Sequence, residues 1–176
     1  MMQTLYILFS AFFDICLFRR GPQDIPYSPV LFNLSLLIYL TINFVLAPEE
    51  LSIKEAVLWS LSDTLLLIIL TSSLLYFTYY TARILQTLTG LIGSYSLLAL
   101  FNIPFIFLFQ GIKSAESVLI IPTILLSALA IWNLIVHAHI LRHALSVSFI
   151  TSLILTLITY FLEINVLTQL FPQLDQ

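Results

Sequence analysis

Five long apolar runs divide the chain, and short charged or proline-containing stretches separate them. The runs lie at about residues 30–47, 56–80, 84–109, 117–139 and 144–162. As α-helices, they are long enough to cross a hydrocarbon core of about 30 Å at about 1.5 Å per residue. Their apolar residues are continuous and do not alternate with polar ones, as barrel strands would. The pattern predicts an all-α, polytopic transmembrane bundle of about five spans in a single domain, residues 1–176.

Residues 1–18 form a shorter apolar stretch with polar positions on one helical face. Gln3, Ser10 and Asp14 share that face, and nearly every other residue is apolar. This pattern favours an amphipathic helix that lies in the plane of the membrane surface. A short sixth span that ends at Arg19 is the alternative, because 18 residues are close to the minimum for crossing a bilayer. We expect no cleavable signal, since the first basic residues follow the apolar run.

The composition supports a lipid environment. The chain is 60% hydrophobic and 9% charged, with a mean hydropathy of +1.07, whereas soluble domains carry about 25% charged residues. A net charge of −3 without a basic run indicates no nucleic-acid binding. We therefore expect membrane lipids and other membrane proteins as partners. The single cysteine, Cys16, excludes an internal disulfide and a cysteine-based zinc site.

The charged residues between the runs predict an orientation. Alternate connections hold all the arginines, and the intervening ones hold Lys54 and Lys113, while Glu163 falls in the predicted C-terminal tail. By the positive-inside rule, the arginine-rich connections should be cytoplasmic and the C-terminus periplasmic, in a bacterial inner membrane. The predicted topology determinants are Arg19, Arg20, Arg83 and Arg142.

The entry to the first run, GPQDIPYSP (Gly21–Pro29), resembles the Gly-Pro-containing entry of the Ypt-interacting-protein (Yip) domain family. The predicted topology, with an N-terminal region, five closely spaced spans and a short tail, is also similar to that family. The long acidic N-terminal tail of the eukaryotic members is missing here. The resemblance implies a membrane organiser or adaptor, and it carries over no catalytic residue.

Asp63 is the one charged residue inside the second run, about ten residues from its start. A charged carboxylate at the centre of a bilayer costs at least about 2.5–3.5 kcal/mol. It is therefore either a protonatable site or ion ligand, or a hydrogen-bonded aspartate that holds helices together. Asn102 and Ser127 are its candidate partners, because both are predicted to lie at a similar depth.

Three histidines follow near the end of the fourth run, beside Arg142. His139 and His143 are spaced i, i+4 and share a helix face, so the pair could bind a metal or haem. The alternative for His137, His139, Arg142 and His143 is contact with lipid headgroups at the membrane boundary. Because no HExxH motif and no histidine elsewhere accompanies the pair, we predict neither a metal nor another cofactor.

No enzyme signature is evident, so helix surfaces carry most of the information in this sequence. The leading hypothesis is a scaffold, assembly factor or subunit of a membrane complex. One alternative is a small proton-coupled transporter or channel that uses Asp63. A second alternative is a haem- or metal-binding membrane subunit that uses His139 and His143.

Overall fold

Helices form all the regular secondary structure in the part of the chain that the computed structural model describes, residues 2–48, 50–111 and 120–172. This confirms the predicted all-α class. Two 3₁₀ turns, Pro22–Asp24 and Thr81–Arg83, lie between helices. The six α-helices are α1 (Met2–Cys16), α2 (Pro29–Val45), α3 (Ile53–Phe77), α4 (Ile84–Gly111), α5 (Ile120–Leu145) and α6 (Phe149–Leu170).

Four of these helices are long and apolar enough to cross a membrane, namely α3, α4, α5 and α6. Helix α2 is apolar but has only 17 residues. Helix α1 packs against α4 and α5. The fifth span and the in-plane position of residues 1–18 stay predictions.

Serine caps begin three of the helices. Ser28 Oγ accepts a hydrogen bond from the backbone N–H of Leu31 at 3.2 Å, directly before α2. Ser52 and Glu55 form a reciprocal capping box at the start of α3. Ser148 caps α6 in the same manner. Each cap satisfies backbone donors that have no partner inside the helix, which fixes where the helix begins.

Two helices extend beyond the ends that the charge pattern predicted. Helix α5 continues through Arg142 to Leu145, and α6 continues through Glu163 to Leu170. A cation in the last turn of α5 is favourable because it faces the negative end of the helix dipole. Glu163 therefore lies well inside α6 and not in a tail.

Helix α4 is the central helix of the bundle. In an 18-residue apolar stretch of α4, 67% is buried inside the protein, compared with 22% in the corresponding stretches of α3 and α6. It contacts α1, α2, α3 and α5. On the α1 side, Gly93 leaves room for the ring of Phe12, which a Cβ at that position would overlap. Nearby, Trp132 Nε1 donates to the backbone carbonyl of Cys16 at 3.1 Å.

Apolar side chains cover much of the outer surface of the bundle, and hydroxyl side chains are buried within it. Large apolar side chains such as Leu37, Ile150 and Phe161 are more than 60% exposed. Small hydroxyl residues are buried at helix contacts instead, which is how membrane helices approach closely and bond to one another. These buried residues include Ser35, Ser60, Thr64, Thr71, Ser94, Ser96, Ser152, Thr156 and Thr159. Lipid is the solvent that matches this outer surface.

The connections gather at two ends of the bundle. At one end, Arg83 Nη1 donates to the carbonyl of Ala144 at 2.9 Å and to Ser146 Oγ at 3.0 Å, which joins the α3–α4 and α5–α6 connections. Gln86 Nε2 donates to the carbonyl of Ile25 at 2.9 Å, which attaches the α1–α2 connection there as well. We call this end the basic end, because it carries Arg19, Arg20, Arg83 and Arg142.

The α2–α3 connection lies at the opposite end. Leu51 packs there with Ala56 of α3 and with Leu167 and Phe171 at the end of α6. Because α3 joins the two ends, residues near Glu50 and residues near Arg83 are separated by the full length of that 25-residue helix.

Candidate functional site: an acidic cavity inside the bundle

A polar cavity of about 190 Å³ lies among helices α2, α3, α4, α5 and α6, and it is open on one side. Most of its lining side chains carry an oxygen or nitrogen atom, in contrast to the apolar outer surface. They comprise two carboxylates, three tyrosines, three asparagines and one alanine. The lining residues are Tyr39, Asn43, Asp63, Tyr95, Ala99, Asn102, Asn133, Tyr160 and Glu163.

Asp63 is held by two donors from the neighbouring helix α2. Tyr39 donates its hydroxyl to Asp63 Oδ2 at 3.1 Å, and Asn43 Nδ2 donates to the same oxygen at 2.6 Å. Tyr39 and Asn43 are spaced i, i+4, so both side chains project from one face of α2. The carboxylate therefore acts as a polar link between α2 and α3 while it faces the cavity.

Glu163 supplies the second carboxylate, from α6. It lies in the middle part of that 22-residue helix and makes no hydrogen bond or ion pair with the residues that the structure describes. The sequence did not point to Glu163 as a cavity residue, because its charge lies near the end of an apolar run and was predicted to belong to the C-terminal tail. The unbroken pattern from Phe149 to Leu170, with Asn165 and Gln169 as its only other strongly polar positions, is the signal that could have found it.

A hydrogen-bonded row of three side chains adjoins the carboxylates. The hydroxyl of Tyr95 bonds to His137 Nδ1 and lies 3.2 Å from the hydroxyl of Tyr160. The rings of Tyr39 and Tyr95 are 6.2 Å apart between centroids, so this row lies next to the Asp63 group. The three residues come from α4, α5 and α6 and tie those helices together.

Two buried polar atoms in this region have no hydrogen-bond partner among the described residues. They are Asn102 Oδ1, which belongs to the cavity lining, and His137 Nε2. Buried polar atoms are nearly always bonded, so such atoms mark places where water or a ligand completes the network.

The two predicted partners of Asp63 lie in different places. Asn102 lines the cavity together with Asp63, although no hydrogen bond joins them. Ser127 is exposed on α5 and is not part of the lining. Residues of α2 bond to Asp63 instead, because the packing of α2 against α3 brings Tyr39 and Asn43 to its side chain.

The three histidines occupy different surroundings. His137 is buried at 2% exposure and belongs to the tyrosine row. His139 Nε2 donates to the carbonyl of Arg20 at 2.9 Å, and its ring is 4.7 Å from that of His143. His143 and Arg142 line a cleft at the basic end.

The metal- or haem-binding alternative concerns His139 and His143. Within the described residues, no group of three or more histidine, cysteine, aspartate or glutamate side chains is placed to hold a metal ion. The Nε2 atom of His139 is already engaged by a backbone carbonyl.

The cavity carboxylates have no basic neighbour in the lining. An ion pair joins Arg20 to Asp14 at 3.2 Å, near the basic end. The four arginines belong to that end, and Lys54 lies at the first turn of α3, at the other end of the bundle. Two acids thus share one polar cavity without a compensating cation from the described residues.

Taken together, the fold and the cavity define a small, membrane-embedded helical bundle with an acidic polar interior. No family model matches the chain, and neither a curated protein nor a solved structure matches it significantly.

Replacing Tyr95 by phenylalanine is expected to lower the free energy of unfolding by about 1–2 kcal/mol. The change leaves His137 Nδ1 buried without its partner and removes the contact to Tyr160. Reversible unfolding in mixed detergent micelles measures the effect. Tyr79→Phe is the matched control, because Tyr79 is 93% exposed, and it should leave stability unchanged. Equal effects of the two substitutions would contradict the assignment of Tyr95 to a buried hydrogen-bonded row.

Proposed function

We propose that this protein is a transporter or channel of small size, and that its acidic cavity binds a proton or a small cation during transport. The observation that carries the proposal is the pair Asp63 and Glu163, which line one cavity from two different helices. Among the residues that the structure describes, no basic side chain joins them in the lining. The proposal develops the alternative that the sequence analysis attached to Asp63.

The energetic reason is the cost of negative charge in a low-dielectric bundle. One ionised carboxylate at the bilayer centre costs at least about 2.5–3.5 kcal/mol, and a second one nearby adds repulsion. A proton or a bound cation removes both penalties. The neutral oxygens of the tyrosine and asparagine side chains in the lining supply further ligands for such a cation, as carbonyl oxygens do in ion pathways.

The tyrosine row offers a route for protons. Tyr95 can donate to His137 and accept from Tyr160, or the two bonds can run in the opposite direction. Reversal of consecutive hydrogen bonds is what a proton relay requires, and chains of titratable side chains serve this role in pumps and transporters. The row extends from the cavity to His137. Along α5, His137 lies closer to the basic end than Asn133, which lines the cavity.

A flux assay on purified protein in liposomes tests this function. Proton uptake is read from an encapsulated pH dye under an imposed gradient, with K⁺ and Na⁺ gradients tested in parallel. We expect flux of one of these ions above that of empty liposomes, and we expect Asp63→Asn to abolish it. Glu50→Gln is the control, because Glu50 is exposed in the α2–α3 connection. No flux of any of the three ions would reject the proposal.

The scaffold, assembly-factor or complex-subunit role and the Yip-like resemblance stay predictions. If the protein instead organises a complex, Asp63 serves to hold α2 against α3, and Asp63→Asn should preserve assembly because asparagine still accepts from Tyr39. Co-purification of the same partner proteins with wild type and with this variant, in the absence of flux, would favour that role.

We also propose that the basic end faces the cytoplasm of a bacterial inner membrane. The clustering of four arginines at one end supports this orientation under the positive-inside rule. In a Cys16→Ala background, Thr81→Cys should be protected from a membrane-impermeant maleimide in intact cells, while Glu50→Cys should be labelled. Labelling of both positions from one side would contradict the threading.

A further inference from the structure

A cleft at the basic end shares no lining residue with the acidic cavity. It has a volume of about 460 Å³ and lies between the α1–α2 connection and the last turns of α5. Three arginines and two histidines contribute to its lining, together with other residues of the α1–α2 connection. The lining includes Arg19, Arg20, His139, Arg142 and His143, with Gly21, Gln23 and Asp24.

The folded α1–α2 connection builds this cleft. Gly21 and Pro22 are buried against the bundle, and the carbonyls of Arg20 and Ile25 accept hydrogen bonds from His139 and Gln86. These bonds fix the path of the connection, so the two arginines at its start are brought to the same cleft as α5. The sequence alone shows Arg19 and Arg142 more than a hundred residues apart.

The charges in the cleft are unevenly paired. Arg20 is occupied by Asp14 through the contact at 3.2 Å, and the carboxylate of Asp24 accepts from the backbone N–H of Gly21 at 2.9 Å. The guanidinium groups of Arg19 and Arg142 make no hydrogen bond or ion pair with the residues that the structure describes. The cleft therefore presents two unpaired cations, with the imidazoles of His139 and His143 alongside.

We propose that this cleft binds a phosphate group. Guanidinium groups bind phosphate oxygens through paired, charge-assisted hydrogen bonds, and histidine adds a neutral or charged donor. The phosphate could belong to the headgroup of an anionic lipid or to a soluble phosphate compound, since the same side chains would recognise either. The proposal does not depend on transport through the acidic cavity.

Binding measurements on the purified protein test this proposal. Native mass spectrometry and thermal unfolding are compared for phosphatidylglycerol and phosphatidylcholine added to the purified protein, and for inorganic phosphate added alone. We expect phosphate-bearing anions to bind and to raise the unfolding temperature. The Arg19→Gln, Arg142→Gln double variant should weaken binding by about tenfold or more.

The control and the outcomes separate the two sources. Lys54→Gln, an exposed cation at the other end of the bundle, should leave binding unchanged. Preference for phosphatidylglycerol without an effect of inorganic phosphate identifies a lipid, and saturable binding of inorganic phosphate identifies a soluble compound. Binding of neither phosphatidylglycerol nor inorganic phosphate, or binding that the double variant leaves intact while its unfolding temperature matches wild type, would overturn the site.

Discussion

Liposomes that contain the Asp63→Asn, Glu163→Gln double variant are expected to show no more ion or proton flux than empty liposomes. Both substitutions keep the size of the side chain and remove the charge that attracts a cation. Among the described residues, the other polar side chains of the lining are tyrosines and asparagines, so no carboxylate remains there. The measurement is the initial rate of dye response under a fixed gradient.

The single variants show whether the two carboxylates act together. If the two carboxylates share one cation or proton, Asp63→Asn alone should remove nearly all of the flux that the double variant removes. The same result is expected for Glu163→Gln alone. Such non-additivity is typical of groups that work as a unit. Purely additive losses would indicate two separate sites, and unchanged flux in both single variants would exclude the cavity from the transport path.

Replacing Leu91 by alanine is expected to lower the free energy of unfolding by about 2–5 kcal/mol. Leu91 of α4 has 0% exposure and packs in a cluster with Ile15, Leu31 and Ile140, so the substitution leaves a void between helices. In a bilayer, helices associate largely through such packing because lipid tails are as apolar as leucine. Unfolding in mixed micelles measures the loss.

Leu65→Ala supplies the matched control for that prediction. Leu65 of α3 is 57% exposed, so its side chain contacts lipid or detergent in the folded protein as well as after unfolding. The substitution should change stability by less than about 0.5 kcal/mol. A larger effect at Leu65 than at Leu91 would contradict the inside-outside arrangement of the bundle.

The helical class and the helix positions follow directly from the apolar runs, because each run between charged connections becomes one helix. The caps at Ser28, Ser52 and Ser148 are likewise local signals. The charged residues predicted the ends of the helices less accurately. Arg142 and Glu163 lie within helices, because a charged residue can be placed at a cleft or cavity as well as at a helix end.

The site was only partly predictable for a related reason. Asp63 is conspicuous as a lone charge in an apolar run, but its partners Tyr39 and Asn43 depend on how α2 packs against α3. Tyrosine is common at membrane boundaries, so Tyr95 gave no sign that it bonds to His137 inside the bundle. Contacts between helices distant in sequence decide such groupings, and periodicity along one helix carries no information about them.

Reaction with dicyclohexylcarbodiimide, an apolar reagent that modifies protonated carboxyl groups, tests the central claim of an acidic pair inside the bundle. After treatment of protein in bilayers, peptide mass spectrometry should find the adduct on Asp63 or Glu163, with protection by a bound cation. Exposed Glu50 should stay unmodified, because the apolar reagent partitions into the bilayer and Glu50 lies in the α2–α3 connection. The account would be contradicted if dicyclohexylcarbodiimide modified neither cavity carboxylate while a water-soluble carbodiimide modified both readily.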